Sequence, residues 1–159
     1  MKRNIYIISL ASLVLLVGLV SITDASDTKF RLGLQQAHFV GGLSGILELS
    51  DPWALQGVID FGAEAFAVRL LNRFHREEYW NAYGEGTLAI WSDRGYNYWG
   101  TRHHYDRNNN FGLGLGLGIE WDWRALSPTL PPIGWNIELG ANVIPSFGIN
   151  IGLGVHWKF

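Results

Sequence analysis

The sequence predicts an all-β chain, an eight-stranded antiparallel up-and-down transmembrane β-barrel, and three observations carry that expectation. Past Lys29 the dominant hydrophobic period is two, which is the period of a strand, and turn residues break it at regular intervals. The apolar face read off this way holds no Asp, Glu, Lys or Arg, while the other face collects charge. Six of the eight Trp fall at one end of the strands.

Composition narrows the classes before any element is placed. The chain of 159 residues holds one domain's worth of mature sequence and no stretch that reads as an interdomain linker. Its formal net charge is −2, only 16% of residues are charged, and Lys and Arg form no long run, so no nucleic-acid partner is expected. With no Cys there are no disulfides, no thiolate metal sites and no lipid-carrying cysteine. The 20 Gly with 8 Trp, 8 Phe and 6 Tyr suit strands that pass close to one another and carry aromatics.

Residues 1–25 read as a signal peptide. Lys2 and Arg3 precede an apolar run from Ile5 to Ile22, and Thr23-Asp24-Ala25 supplies small residues for cleavage after Ala25. The run is also close to the roughly 20 residues of a spanning helix, so a permanent anchor is the competing reading. Residues 26–159 are then the barrel, and with no later stretch long and apolar enough for a helical span, any further membrane insertion must use strands.

The strands follow in order. Those expected near 30 to 36, 42 to 49, 53 to 61, 66 to 74 and 80 to 91 place Arg31, Glu48, Asp60, Arg69 with Arg73, and Glu85 on the polar face. The sixth, FGLGLGLGIEWDW from Phe111 to Trp123, sets Leu113, Leu115, Leu117 and Ile119 against four Gly, Glu120 and Asp122. The seventh, near 133 to 143, sets Trp135, Ile137 and Leu139 against Gly134, Asn136, Glu138 and Asn142. The eighth, 147 to 159, alternates Phe147, Ile149, Ile151, Leu153, Val155, Trp157 and Phe159 with Gly148, Asn150, Gly152, Gly154, His156 and Lys158.

Which face points outward separates a lipocalin-like barrel from a membrane barrel, whose outer surface meets lipid. Glycine on the polar face of the last three strands suits the cramped inside of a small barrel. If the mature chain starts in the periplasm, Trp53, Trp80 and Trp135 begin strands there, and Trp121, Trp123 and Trp157 end strands there, an aromatic girdle at one lipid boundary. The connections near 50 to 52, 75 to 78 and 125 to 132 are then periplasmic. Those near 37 to 41, 62 to 65, 92 to 110 and 144 to 146 are external, with the longest loop outside.

With SGILEL at 44 to 49, the terminal INIGLGVHWKF and the strand count in view, the chain resembles small eight-stranded outer-membrane β-barrel proteins. Its plan is similar to the outer-membrane protein A transmembrane domain, and it looks closest to a group of small, mostly uncharacterised barrels of the same length. The resemblance covers the mature chain and is one of pattern. It implies location in the cell outer membrane, contact with outer-membrane lipid and lipopolysaccharide, and insertion by the barrel assembly machinery. Val155, Trp157 and Phe159 resemble the assembly signal that such proteins carry at their carboxy terminus.

Eight strands enclose a space that side chains roughly fill, so no wide pore is expected. Arg31, Glu48, Arg69, Arg73, Glu85, Glu120, Asp122, Glu138 and Lys158 form the expected interior polar network, since charges so confined must pair. Gly112, Gly114, Gly116, Gly118, Gly140, Gly148, Gly152 and Gly154 leave room beside Tyr83, Thr87 and Trp91, which large side chains or an outward-opening ligand pocket would fill. The loop from Ser92 to Asn110 combines Arg and aromatic residues, a composition used at contact surfaces. Its adjacent His103 and His104 point opposite ways in an extended chain and make a poor metal site.

Some eight-stranded barrels modify lipid A with Ser, His and an acid. Here Ser44 lies near the outer end of the second strand, His156 near the opposite rim and His38 in a loop, so no Ser–His contact is expected. The sequence thus predicts a monomer with a structural or surface-interaction role and no catalytic residue, cofactor or metal. A lipid-binding or lipid A-modifying enzyme is the alternative.

Overall fold

The computed structural model describes residues 29–37, 39–62, 64–91, 97–98, 101–102, 111–144 and 147–159. The signal peptide expected at 1–25, His38, and His103 with His104 lie outside these. The strands are β1 (Phe30–Ala37), β2 (Val40–Ser50), β3 (Trp53–Asp60), β4 (Ala65–Arg76), β5 (Trp80–Trp91), β6 (Asn97–Tyr98), β7 (Thr101–Arg102), β8 (Phe111–Asp122), β9 (Ile133–Ile144) and β10 (Gly148–Lys158). A short 3-10 turn, Trp123–Ala125, follows β8, with Asp122 accepting from the Arg124 backbone N–H at its start.

Eight of these strands close a barrel in the order β1-β10-β9-β8-β5-β4-β3-β2, each neighbour antiparallel. This is the up-and-down arrangement the alternation predicts. The pair β6 and β7 is a separate two-stranded hairpin within the longest connection. Two residues per strand is too short for any hydrophobic period, and the sequence gives no sign of it. Three barrel pairings carry register shifts, between Glu48 and Ser50 on β2, Asn72 and His75 on β4, and Leu113 and Gly114 on β8.

The two faces of the wall are inverted relative to a soluble barrel. On β8 every odd position from Phe111 to Ile119 is exposed, and Gly112, Gly114, Gly118, Glu120 and Asp122 are buried. Leu115 is 62% exposed and Leu153 54%, whereas Arg69 and Glu138 are each 1% exposed. Leu115, Ile137 and Leu153 therefore form no central core; charge and amide groups occupy the axis.

Two inward apolar clusters interrupt that polar lining. Phe39, Val40, Val58, Ala65, Ala67, Ala89 and Trp91 meet at one end of the lumen, where Phe39 stacks on Trp91 at 5.6 Å between ring centroids. Ile46, Ala54, Leu71 and Tyr83 form the second, nearer the other end.

At that other end, Trp80 pairs with Trp121 and Trp121 with Trp135, so three rings share one cross-strand row on the outer wall. The Trp121 and Trp135 rings stack at 4.7 Å. Trp53, Trp123 and Trp157 are exposed near the same rim.

Candidate functional site

The lumen is built in two polar layers. The layer at the Trp rim joins β1, β2, β4, β8 and β10. Arg31 bridges Glu48 at 2.7 Å and Glu120, and Arg73 binds Glu48 through both of its terminal nitrogens. Lys158 reaches Glu120 and Asp122, each at 3.1 Å, and Arg124 closes on Asp122 at 2.6 Å. Arg31 and Lys158 are directly opposite one another in the β1–β10 register, an arrangement of like charges that Glu120 offsets by contacting both. Gly134 makes this possible, because a Cβ there would stand 2.9 Å from Glu120 Oε1 and 3.0 Å from Lys158 Cε.

The deeper layer is centred on Glu138. Its Oε1 accepts from Tyr83 Oη at 2.5 Å and Asn136 Nδ2 at 2.7 Å, and its Oε2 accepts from Arg69 at 2.7 Å and Gln35 Nε2 at 3.1 Å. Arg69 also pairs with Glu85 and donates to Gln56 Oε1 at 2.6 Å. A buried carboxylate survives desolvation only when its lone pairs are satisfied in this way. The layer ties together β1, β3, β4, β5 and β9.

The nine charged residues expected as an interior network all lie on the inner face, divided between these layers: Arg31, Glu48, Arg73, Glu120, Asp122 and Lys158 at the rim, and Arg69, Glu85 and Glu138 deeper. Charge alone does not reveal the neutral members, Gln35, Ser44, Gln56, Tyr83, Asn136 and His156. Strand alternation already turns Ser44, Tyr83, Asn136 and His156 inward in the sequence, and the same signal could have added Gln35 and Gln56, since each shares the inward register of a charged neighbour.

Ser44 and His156 require a correction. The sequence puts them at opposite ends of the barrel, yet His156 Nε2 lies 3.0 Å from Ser44 Oγ. Gly33 pairs with Ser44 on one side and with His156 on the other, so the two occupy one cross-strand row with only bare backbone between them. A Cβ at Gly33 would collide with the Val155 carbonyl. Strands in a barrel are tilted and staggered, so distance from a strand's end does not measure height along the axis. Gln56 Nε2 donates to Ser44 Oγ at 2.8 Å and also approaches the His156 ring. Both members of the pair are buried among other lumen side chains.

Four of the eight glycines expected to leave room inside, Gly112, Gly118, Gly152 and Gly154, are covered by neighbouring side chains. Phe39 and Trp91 crowd Gly112, Tyr83 lies on Gly118, Glu138 abuts Gly152, and Gln35 with Asn136 covers Gly154. Among the described residues no group of three His, Asp or Glu is arranged to hold a metal ion. The carboxy-terminal Val155, Trp157 and Phe159 are all exposed on the outer face.

No protein-family model matches the chain, and no curated protein or solved structure matches it.

Proposed function

We propose that the chain is a small integral outer-membrane β-barrel protein with a structural or surface-interaction role and no open pore. The observation that carries this reading is the inverted wall. A belt of exposed Leu, Ile, Val and Phe surrounds a lumen of paired charges, an arrangement costly in water and favourable in hydrocarbon. Closure supports it too, because a strand wall in lipid tolerates no unpaired edge. The Trp rim and the signal-peptide layout of residues 1–25 agree with export and with an interfacial girdle on the periplasmic side. The two stacked side-chain layers speak against a diffusion pore.

The partners on this reading are outer-membrane lipid, lipopolysaccharide and, during insertion, the barrel assembly machinery. The test is heat-modifiable gel migration of the protein from outer-membrane fractions. A compact species that shifts on boiling is expected; recovery only in the soluble fraction overturns the reading.

A lipid A-modifying activity has the Ser44–His156 contact in its favour. Both side chains face the axis, however, and the lipid would meet the opposite face of the same strands.

A further inference from the structure

The outer wall is not uniform along β5. After Trp80 its outward positions are Ala82, Gly84 and Gly86, and a large side chain returns only at Leu88. Gly86 is flanked in register by Leu70 on β4 and Leu115 on β8. With the central side chain missing, the two leucines stand two strand spacings apart, roughly 10 Å. The result is an apolar groove of about 430 Å³, floored by Gly86 and walled by Val68, Leu70, Leu113, Leu115 and Val143. Its outer end falls at the register shift between Leu113 and Gly114, where Val143 is the extra residue on β9.

Two outward glycines elsewhere, Gly45 and Gly57, lie beside an aromatic ring of the protein, whereas Gly84, one outward position before Gly86, continues the bare floor with its nearest atoms at 3.9 Å. The Phe30 ring stands 3.3 Å from where a Cβ of Gly45 would sit, and Phe66, only 6% exposed, leans on Gly57. At Gly86 the nearest described atom to that position is a Leu115 methyl at 3.8 Å, which is ordinary van der Waals contact. A methylene group would fit there without displacing anything.

We propose that this groove seats one hydrocarbon chain of a bilayer lipid. The inference rests on the outer-membrane reading, which puts the groove in the hydrocarbon. Its shape selects the occupant. A second barrel is convex and would meet the leucine ridges first, reaching the floor with a single projecting side chain and leaving the rest of the groove without dispersion contacts. A single acyl chain is narrow enough to lie between the ridges and reach Gly86. The lining offers no charge to bind a head group, so recognition is of the chain and tolerates different heads.

Native mass spectrometry of the detergent-extracted barrel with added palmitoyl-oleoyl phosphatidylethanolamine tests this. One retained lipid per barrel is expected for the unmodified protein and for Gly57→Leu, and retention at least about tenfold weaker for Gly86→Leu, whose side chain fills the groove. Gly86→Val serves in the same way if the leucine variant fails to assemble, with heat-modifiable migration reporting folding. Equal retention by folded Gly86 variants overturns the proposal. So does a dimer of the unmodified protein that Gly86→Leu dissociates, which would make a second copy the occupant. Absence of any heat-modifiable form from membrane fractions defeats the outer-membrane reading instead.

Discussion

Tyr83 on β5 donates its hydroxyl to Glu138 Oε1 on β9 at 2.5 Å, passing over the bare backbone of Gly118 on β8, which is the direct register partner of both. The contact exists because position 118 has no side chain; a Cβ there would run into the Tyr83 ring. Gly118→Ala is expected to push the ring aside and destabilise the barrel by about 1–3 kcal/mol, the usual cost of overpacking. Denaturant unfolding in detergent micelles measures it, and an unchanged midpoint would refute the role given to Gly118.

Glu138→Ala removes four hydrogen-bonded contacts at once and strips Arg69 of one of its two carboxylates. Breaking a buried pair from one side costs about 3–5 kcal/mol. Arg73→Ala is expected to cost less, because Glu48 keeps Arg31 as a partner and is partly exposed. The temperature at which the compact gel band is lost should therefore fall for both variants, and further for Glu138→Ala. Two variants as heat-resistant as the parent would remove the structural meaning of the lumen network.

Leu117 is exposed near the middle of β8, and Leu126 is exposed in the connection that follows. If the wall faces lipid, Leu117→Arg should cost about 2–4 kcal/mol. In contrast, Leu126→Arg should fall within about 0.5 kcal/mol of the parent. Refolding equilibria into phospholipid vesicles separate the two, and equal tolerance at both positions would argue for water around the barrel.

Ser44→Ala probes the buried Ser–His pair. On the structural reading, lipid A mass spectra are the same for cells with the parent protein, with the variant and with neither. A modification that appears with the parent and vanishes with Ser44→Ala would make the protein an enzyme.

The faces of the strands were legible because a closed wall with an apolar outer face and a polar lumen forces strict alternation, clearest where β8 and β10 set Leu, Ile and Val against Gly. The charged lumen residues were legible for the same reason. The partner of each was not, since cross-strand rows depend on stagger that a strand's own residues do not encode. Ser44 and His156 show the consequence: three paired residues, Ser44, Gly33 and His156, make one row out of segments that look remote. Ile46 and Leu71 were hidden in another way. Their hydrophobicity matches the outer wall, and only their register turns them inward.

The seam between β1 and β10 joins residues from nearly opposite ends of the described chain, Arg31 against Lys158 and Gln36 against Leu153. No hairpin turn holds these two strands near each other, so their meeting bears the largest loop-closure entropy in the fold. Before it, the sheet has two bare edges whose N–H and C=O groups invite pairing with other chains. A sheet in that state cannot rest in hydrocarbon. On the outer-membrane reading, curling shut and crossing the bilayer would proceed together, and a chain stalled with the seam open would be the species most prone to aggregate.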